Sequence, residues 1–148
     1  MDGLKYNSDK QINGTFGELW IDDYYMAEVT GLEAKVSIEK SEVKQTGSLA
    51  KGHKVTGIDC KGTVKLNKVS SYFIKKMSDN LKAGKSTTCT IITKLADPAS
   101  DGIERIRLTG CTFDEMTIAS WEAKKLGEES YPFTFTGWDV LDTIDTFL

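Results

Sequence analysis

One histidine, three cysteines and the carboxylate pairs Asp22-Asp23 and Glu128-Glu129 are the residues of this 148-residue chain with the most obvious chemical potential. His53 stands between Gly52 and Lys54 with no serine or cysteine beside it. A general base or nucleophile pair needs such a neighbour to be activated. Gly47-Ser48-Leu49-Ala50-Lys51-Gly52-His53 has the outline of a phosphate-binding loop. Histidine, however, occupies the lysine position, and the segment joins two strand-like stretches where a phosphate loop joins strand to helix. Cys60, Cys89 and Cys111 each fall inside a strand-like segment and none forms a CxxC pair. Buried, reduced thiols are expected, and one histidine with scattered thiols is too few ligands for a metal site. The pairs Asp22-Asp23 and Glu128-Glu129 sit in turns, where solvation is their simplest role. Asn13-Gly14-Thr15 is a glycosylation sequon, which matters only in an exported chain. Nothing here assembles an active site, so no enzyme, no cofactor and no metal is expected.

The chemistry must therefore lie in surfaces, and surfaces depend on the elements that carry them. At about 150 residues per domain the chain is one domain, residues 1–148. A chain of this size buries about two-thirds of its unfolded surface and needs no staples. No apolar run approaches the roughly 20 residues of a membrane span, so stable membrane insertion is not expected. The opening MDGLKYNSDKQINGTFG lacks the apolar core of a signal peptide. The net charge of −3 is unevenly spread. Residues 1–53 hold nine acids against six bases, residues 54–100 three against nine, and residues 101–148 ten against four. A basic middle can mark nucleic-acid binding, but no aromatic stacking cluster accompanies it. Oppositely charged faces also suit head-to-tail contact between copies of one subunit.

Residues 1–14 are polar and read as an arm, followed by a strand at Phe16–Ile21, a turn at Asp22-Asp23 and a further strand at Tyr24–Val29. From Leu32 the period is two: Leu32, Ala34, Val36 and Ile38 fall on one side, Glu33, Lys35, Ser37 and Glu39 on the other. The alternation lapses over 41–54 and resumes with Ile58, Cys60, Val64 and Leu66 opposite Asp59, Lys61, Thr63 and Lys65. A loop this long between patterned strands suggests partner contact, since hairpin loops commonly run 2–5 residues. Val69, Phe73, Met77 and Leu81 recur every fourth residue, predicting a helix over 68–83 capped by Asn67 and closed by Gly84. Strands are expected at Thr88–Leu95, Ile103–Phe113, Glu115–Glu122 and Tyr131–Trp138. The tail over 139–148, with Val140, Leu141, Ile144, Phe147 and Leu148, is apolar enough to require docking. Seven or eight strands and one helix, without β–α alternation, predict a mostly β fold. Its form would be two packed antiparallel sheets making a small barrel or sandwich with a flanking helix.

Read in order, NGTFGELWIDDYYMAEVTGLEAKVSIEKSEV over 13–43, a glycine-containing loop, and HKVTGIDCKGTVKLNKVSS over 53–71 leading into the helix carry a resemblance. The chain resembles the tail tube proteins of contractile-tailed phages found in Gram-positive prophages and phage-like particles. It is also similar to the tube subunits of R-type bacteriocins such as the diffocins. The match runs over nearly the whole chain, most specifically at Gly17–Asp22, Leu32–Val43 and Lys54–Ser70.

The resemblance implies a fold shared with the tube protein of type VI secretion, six copies in a ring, and rings stacked into the inner tube of a contractile tail. It implies as partners further copies of the chain, a sheath protein, a tape measure protein, a baseplate initiator and a tail terminator. Assembly would take place in the bacterial cytoplasm, and phage DNA or ions would pass without specific binding. The inter-strand loop would reach the neighbouring ring through Val43, Lys44, Gln45, Gly47, Leu49, Lys51 and His53. Glu33, Lys35, Ser37, Glu39, Asp59, Lys61, Thr63 and Lys65 are the lumen-facing candidates, with Thr134 and Thr136 added. The first eight carry three acids and three lysines, not the acidic lining that would repel phosphates, so DNA and ion conduits both stay open. A one-residue slip would invert the whole set. The alternative is a monomeric β-barrel binding module with a small-molecule pocket lined by Phe133, Phe135 and Met116.

Overall fold

The computed structural model describes residues 6–145. Eight strands and one α-helix follow in the order β1 (Gly17–Ile21), β2 (Tyr24–Tyr25), β3 (Val29–Val43), β4 (Gly52–Asn67), α1 (Tyr72–Lys82), β5 (Thr88–Leu95), β6 (Glu104–Phe113), β7 (Glu128–Thr134) and β8 (Gly137–Asp142). Every pairing is antiparallel. The expected mostly β class with one flanking helix holds. The strands form one hydrogen-bonded sheet, ordered β2-β1-β5-β6-β7-β4-β3, with β8 beside β6. Its edge strands β2 and β3 do not pair with each other, so the expected barrel is not closed.

Both ends of the sheet nevertheless share one core. Leu19 and Ile21 of β1, Cys60 and Val64 of β4, Ile91 of β5, Leu108 of β6 and Phe133 of β7 are buried in a single cluster with Phe73 and Met77 of α1. Aromatic rings tie the helix to the sheet. Phe73 stacks on Tyr131 with centroids 4.1 Å apart and meets Phe113 edge-on at 5.0 Å.

Several elements differ from the sequence expectation, each for a physical reason. The helix starts at Tyr72 rather than 68, with Ser71 at its N-cap. Asn67 is still in β4, opposite Glu128, and the Lys68 amide donates to the Gly127 carbonyl at 2.8 Å, so 68–71 cannot coil. Val69 is consequently exposed; Leu81, in the last turn of the helix, is exposed as well, so only Phe73 and Met77 of the stripe are buried. The helix end is as expected. Gly84 adopts φ +75°, its amide donates to the Leu81 carbonyl and the Lys85 amide to that of Asn80. These two bonds close a Schellman motif.

The strand expected over 115–122 is absent, and 114–127 runs outside the ladder. The strand expected at 131–138 is two strands, because the chain leaves β4 after Thr134 and turns along β6 from Gly137. That turn docks the first part of the tail as β8, with Arg105 on Asp142 at 2.7 Å and Arg107 on Asp139 at 2.8 Å. Phe147 and Leu148 lie outside the described residues, as does the start of the arm. Residues 8–10 and 14–16 form short 3₁₀ turns. They are held by the Asn13 amide donating to Asp97 Oδ2 at 2.9 Å and by a Lys10–Asp101 ion pair.

Candidate functional site

The longest pairing in the molecule is that of β3 with β4, which runs from Val29 opposite Leu66 to Val43 opposite Gly52. The loop expected over 41–54 is therefore shorter. Ser41, Glu42 and Val43 pair with Lys54, His53 and Gly52, and only 44–51 form the turn. Polarity hid these pairs, because β-strands that extend past a core have no buried face to produce alternation. Of the residues assigned to the loop, Lys44, Gln45, Gly47, Leu49 and Lys51 lie in the turn, whereas Val43 and His53 lie in the ladder. Gly47 takes φ +75°, a left-handed conformation in which glycine carries no steric cost. Leu49 is fully exposed at 106%.

The ladder places the eight polar candidates on one face. Glu33 lies opposite Thr63, Lys35 opposite Lys61 and Ser37 opposite Asp59, while Glu39 and Lys65 meet Gly57 and Gly31. Side chains directly opposite share a face, and the set alternates strictly with Leu32, Ala34 and Val36. Thr134 joins this face opposite Lys61 and bonds Thr112 through its hydroxyl at 3.1 Å. Thr136 does not join it, since its amide donates to the Thr109 carbonyl of β6 at 3.0 Å.

Lys35 and Lys61 are like charges placed opposite each other, and each is paired within its own strand. Lys35 reaches Glu33 at 3.0 Å and Lys61 reaches Asp59 at 3.6 Å. All four side chains are more than half exposed, so each pair adds less than about 1 kcal/mol. Their effect is to leave a wet, locally neutral surface.

The other face of the ribbon is apolar from Leu32 as far as Ile38, Ile58 and Val55, with Lys40, Glu42 and His53 beyond, and only its base is covered. Leu32 and Val36 pack on the core, whereas Ile38, Val55 and Ile58 beyond them are exposed. At Thr56 the register shifts, so that Glu39 faces Gly57 and Lys40 faces Val55. Beyond this bulge the distal half continues as a two-stranded arm, since β7 pairs with β4 only from Lys61.

Three further features flank the ribbon. At its base, Lys68 pairs with the nearly buried Glu129 carboxylate at 2.9 Å, and that carboxylate accepts a short hydrogen bond from the Tyr131 hydroxyl. Burial first, and then Glu129, push the Tyr131 phenol up and keep it a donor. Beside this trio lies a groove of about 770 Å³, whose outer wall is Trp121 and Leu126. Where the sheet does not close, an open cleft of about 730 Å³ is lined by Leu19, Leu32, Val36, Ile106, Leu108 and Phe135. Of the three residues expected around a ligand pocket, only Phe135 lines it. Phe133 is fully buried and Met116 packs against the core.

Cys60, Cys89 and Cys111 are buried free thiols. Cys89 lies opposite Cys111 across β5 and β6, and the facing thiol together with burial raises its pKa. His53 is exposed and registers with Glu42, an arrangement without a nucleophile beside it. Sequence reasoning did not single out Trp121 or Leu126, because it placed Trp121 in a strand over 115–122 and Leu126 in the connection that follows. Their signal was composition: large apolar residues in a stretch with no period.

The sequence profile of a family described as phage tail tube protein matches residues 5–142. The phage-like element PBSX protein XkdM of Bacillus subtilis (strain 168) is 39% identical over 147 residues, covering 97% of this chain and 100% of that protein. The fold is similar to a chain of the extended sheath–tube complex of the extracellular contractile injection system PVC, at a TM-score of 0.68 and 9% identity, covering 92% and 95% of the two chains. It is likewise similar to a chain of the PVC sheath/tube terminator in the extended state, at a TM-score of 0.67 and 9% identity, covering 95% and 100%.

Proposed function

The chain belongs to the phage tail tube protein family, a family of structural proteins and not of enzymes, and from that premise we propose that it builds the inner tube of a contractile phage tail or phage-like particle. Six copies form a ring, and rings stack into a hollow conduit. The observation that carries this reading is the β3–β4 ribbon with one wet, charge-balanced face and one apolar face. A conduit wall needs that division, polar toward a water-filled lumen and apolar toward protein. The eight polar candidates with Thr134 would line the lumen, and Lys44, Leu49 and Lys51 at the ribbon's end would reach the next ring. A free β3 edge supports lateral joining of sheets, since ring closure gives each exposed edge a partner.

The remaining partners follow from the same role. A sheath would surround the tube, a tape measure protein would occupy it, a baseplate initiator would start it and a tail terminator would end it. Phage DNA or ions would pass through the lumen, and a bacteriocin-type particle would use the same subunit. The subunit would be found in the particle's tail, having assembled in the bacterial cytoplasm.

Negative-stain microscopy with light scattering, across concentration and with tail particles as nuclei, tests the proposal. Rings or hollow tubes are expected. A protein that stays monomeric and does not extend added tails would sink it in favour of the binding module, whose ligand would have to enter the 730 Å³ cleft. Within this reading Leu49→Asp should stop growth while leaving the far-UV circular dichroism of the subunit unchanged. Tubes of normal length would refute the role of the turn.

A further inference from the structure

We propose that the ledge formed by Trp121 and Leu126 is the receptor, on one copy of the chain, for the 44–51 turn of a second copy. The inference rests on the stacking reading above and adds the surface that completes the contact.

Two exposed apolar patches stand at opposite ends of the same ribbon. The free end carries Leu49, with Val55, Ile38 and Ile58 on the apolar face behind it and Val43 on the other face, all exposed. The base end carries Trp121 and Leu126, 89% and 91% exposed, on the groove that also includes Lys65 and Asn67 at the end of β4 and Glu128 at the start of β7. Strand β4, with its 16 residues, spans about 50 Å, so one copy cannot bring its own turn to its own ledge. A second copy can. Because turn and ledge are different surfaces, the contact leaves a free turn and a free ledge at the two ends of every pair. It therefore repeats along an axis.

The charges agree. Residues 40–54 hold four lysines against one glutamate, and residues 114–130 hold five acids against two lysines. The ribbon's end is thus positive and the irregular segment as a whole negative, while the groove itself balances Lys65, Lys68 and Lys125 against Glu122, Glu128 and Glu129; the like charge of two turns disfavours turn-to-turn contact. A tryptophan this exposed has lost most of the burial its ring can gain, and tryptophan is among the residue types that most often anchor interfaces. The ledge is also held firmly. The Lys68 amide donates to Gly127, and Lys68 Nζ is pinned by Glu129, which fixes the C-terminal end of the segment.

The test uses two full-length variants, Leu49→Cys and Leu126→Cys, purified separately and mixed before assembly. The three native cysteines are buried, which keeps background low against a bismaleimide reagent. The expected result is a covalent dimer that forms only in the mixture and only after tubes have formed. Alongside it, Trp121→Ala should reduce tubes to single rings with circular dichroism unchanged, and Trp121→Phe should restore length. The double reversal Lys44→Glu and Lys51→Glu should block growth, and Glu122→Lys with Glu128→Lys on the partner should recover it in part. If wild-type tubes form but the two introduced thiols never link and Trp121→Ala tubes keep their length, the ledge is not the receptor, although the stacking reading stands. The same conclusion follows if Trp121→Ala abolishes only sheath binding. If the wild type forms no rings or tubes even on tail nuclei, the stacking reading fails and this inference with it.

Discussion

The two halves of the β3–β4 ribbon obey one sequence rule and meet opposite fates. Near the base, Leu32 and Val36 cover Cys60 and Val64, and Phe133 of β7 closes over them. Around the bulge at Thr56, Ile38, Val55 and Ile58 point to the same side and cover nothing. Apolar periodicity reports which face is to be buried. It does not report whether the burying partner belongs to the same chain. The base half is an element of the fold, and in the proposed tube the distal half would be an element of an interface.

Substitutions along the ribbon should separate these roles. The largest effect is expected at Phe133, which is fully buried against Phe113 and Phe135. Phe133→Ala should cost about 3–5 kcal/mol, read as a loss of midpoint in urea unfolding with an unchanged slope. Gly62 comes next. A Cβ there would stand 2.5 Å from both the Glu33 carbonyl oxygen and the Phe133 ring, so the strand or the ring must move. Gly62→Ala should cost about 1–3 kcal/mol by the same measurement. If it proved neutral, the close packing between β4 and β7 would be wrong.

Asp22, away from the ribbon, gives a smaller effect that depends on pH. Burial alone would raise its pKa, but the Lys76 ammonium at 2.7 Å and the Thr90 amide at 2.8 Å outweigh it, and the carboxyl ends below its usual range. A group depressed in the folded state stabilises above its unfolded pKa of about 3.9 and loses that contribution as pH falls through the lower folded value. Asp22 adopts φ +46°, which asparagine tolerates well, so Asp22→Asn removes charge with little backbone change. The side chain is 42% exposed, and less than about 1 kcal/mol is expected at pH 7, read as a melting midpoint lower by about 1–3 °C. The difference from wild type should shrink steadily as pH falls below about 4.

The smallest effect on the isolated subunit is expected at the distal half. Ile58→Asp should change its stability by no more than about 0.5 kcal/mol, while abolishing tube growth if that face is an interface. A large loss of stability there would show that the distal half is held by its own chain, and the contrast between the halves would collapse.

Much of this was legible in the sequence because local patterns and tertiary structure agree. Thr88–Leu95 is a strand at the residues expected, and the polar faces of β3 and β4 take the register their alternation predicts. The misreadings cluster where a distant partner decides. Nothing near Lys68 announces that Gly127 will hold its amide, so periodicity alone starts the helix four residues early. Residues 131–138 alternate well enough for one strand. The change of partner from β4 to β6 depends on Gly110, whose φ of +64° leaves Thr136 room that any side chain would fill. The ledge was illegible for a deeper reason: an exposed tryptophan and a buried one look alike in a sequence, and only the fold distinguishes them.

The bulged arm also bears on the timing of assembly. A two-stranded hairpin without a covering layer is marginal in water, and holding a residue in one backbone well costs about 1–2 kcal/mol. Any contact made by residues 44–51 must therefore supply the ordering of the arm as well as its docking. Two free subunits bear that cost with a single contact to offset it. In the proposed tube, a subunit arriving on a finished ring would meet several surfaces at once, and each arm that docks would find its neighbours already in place. Growth should therefore show a lag that shortens with added tail fragments, so that subunits stay dispersed until a template is present.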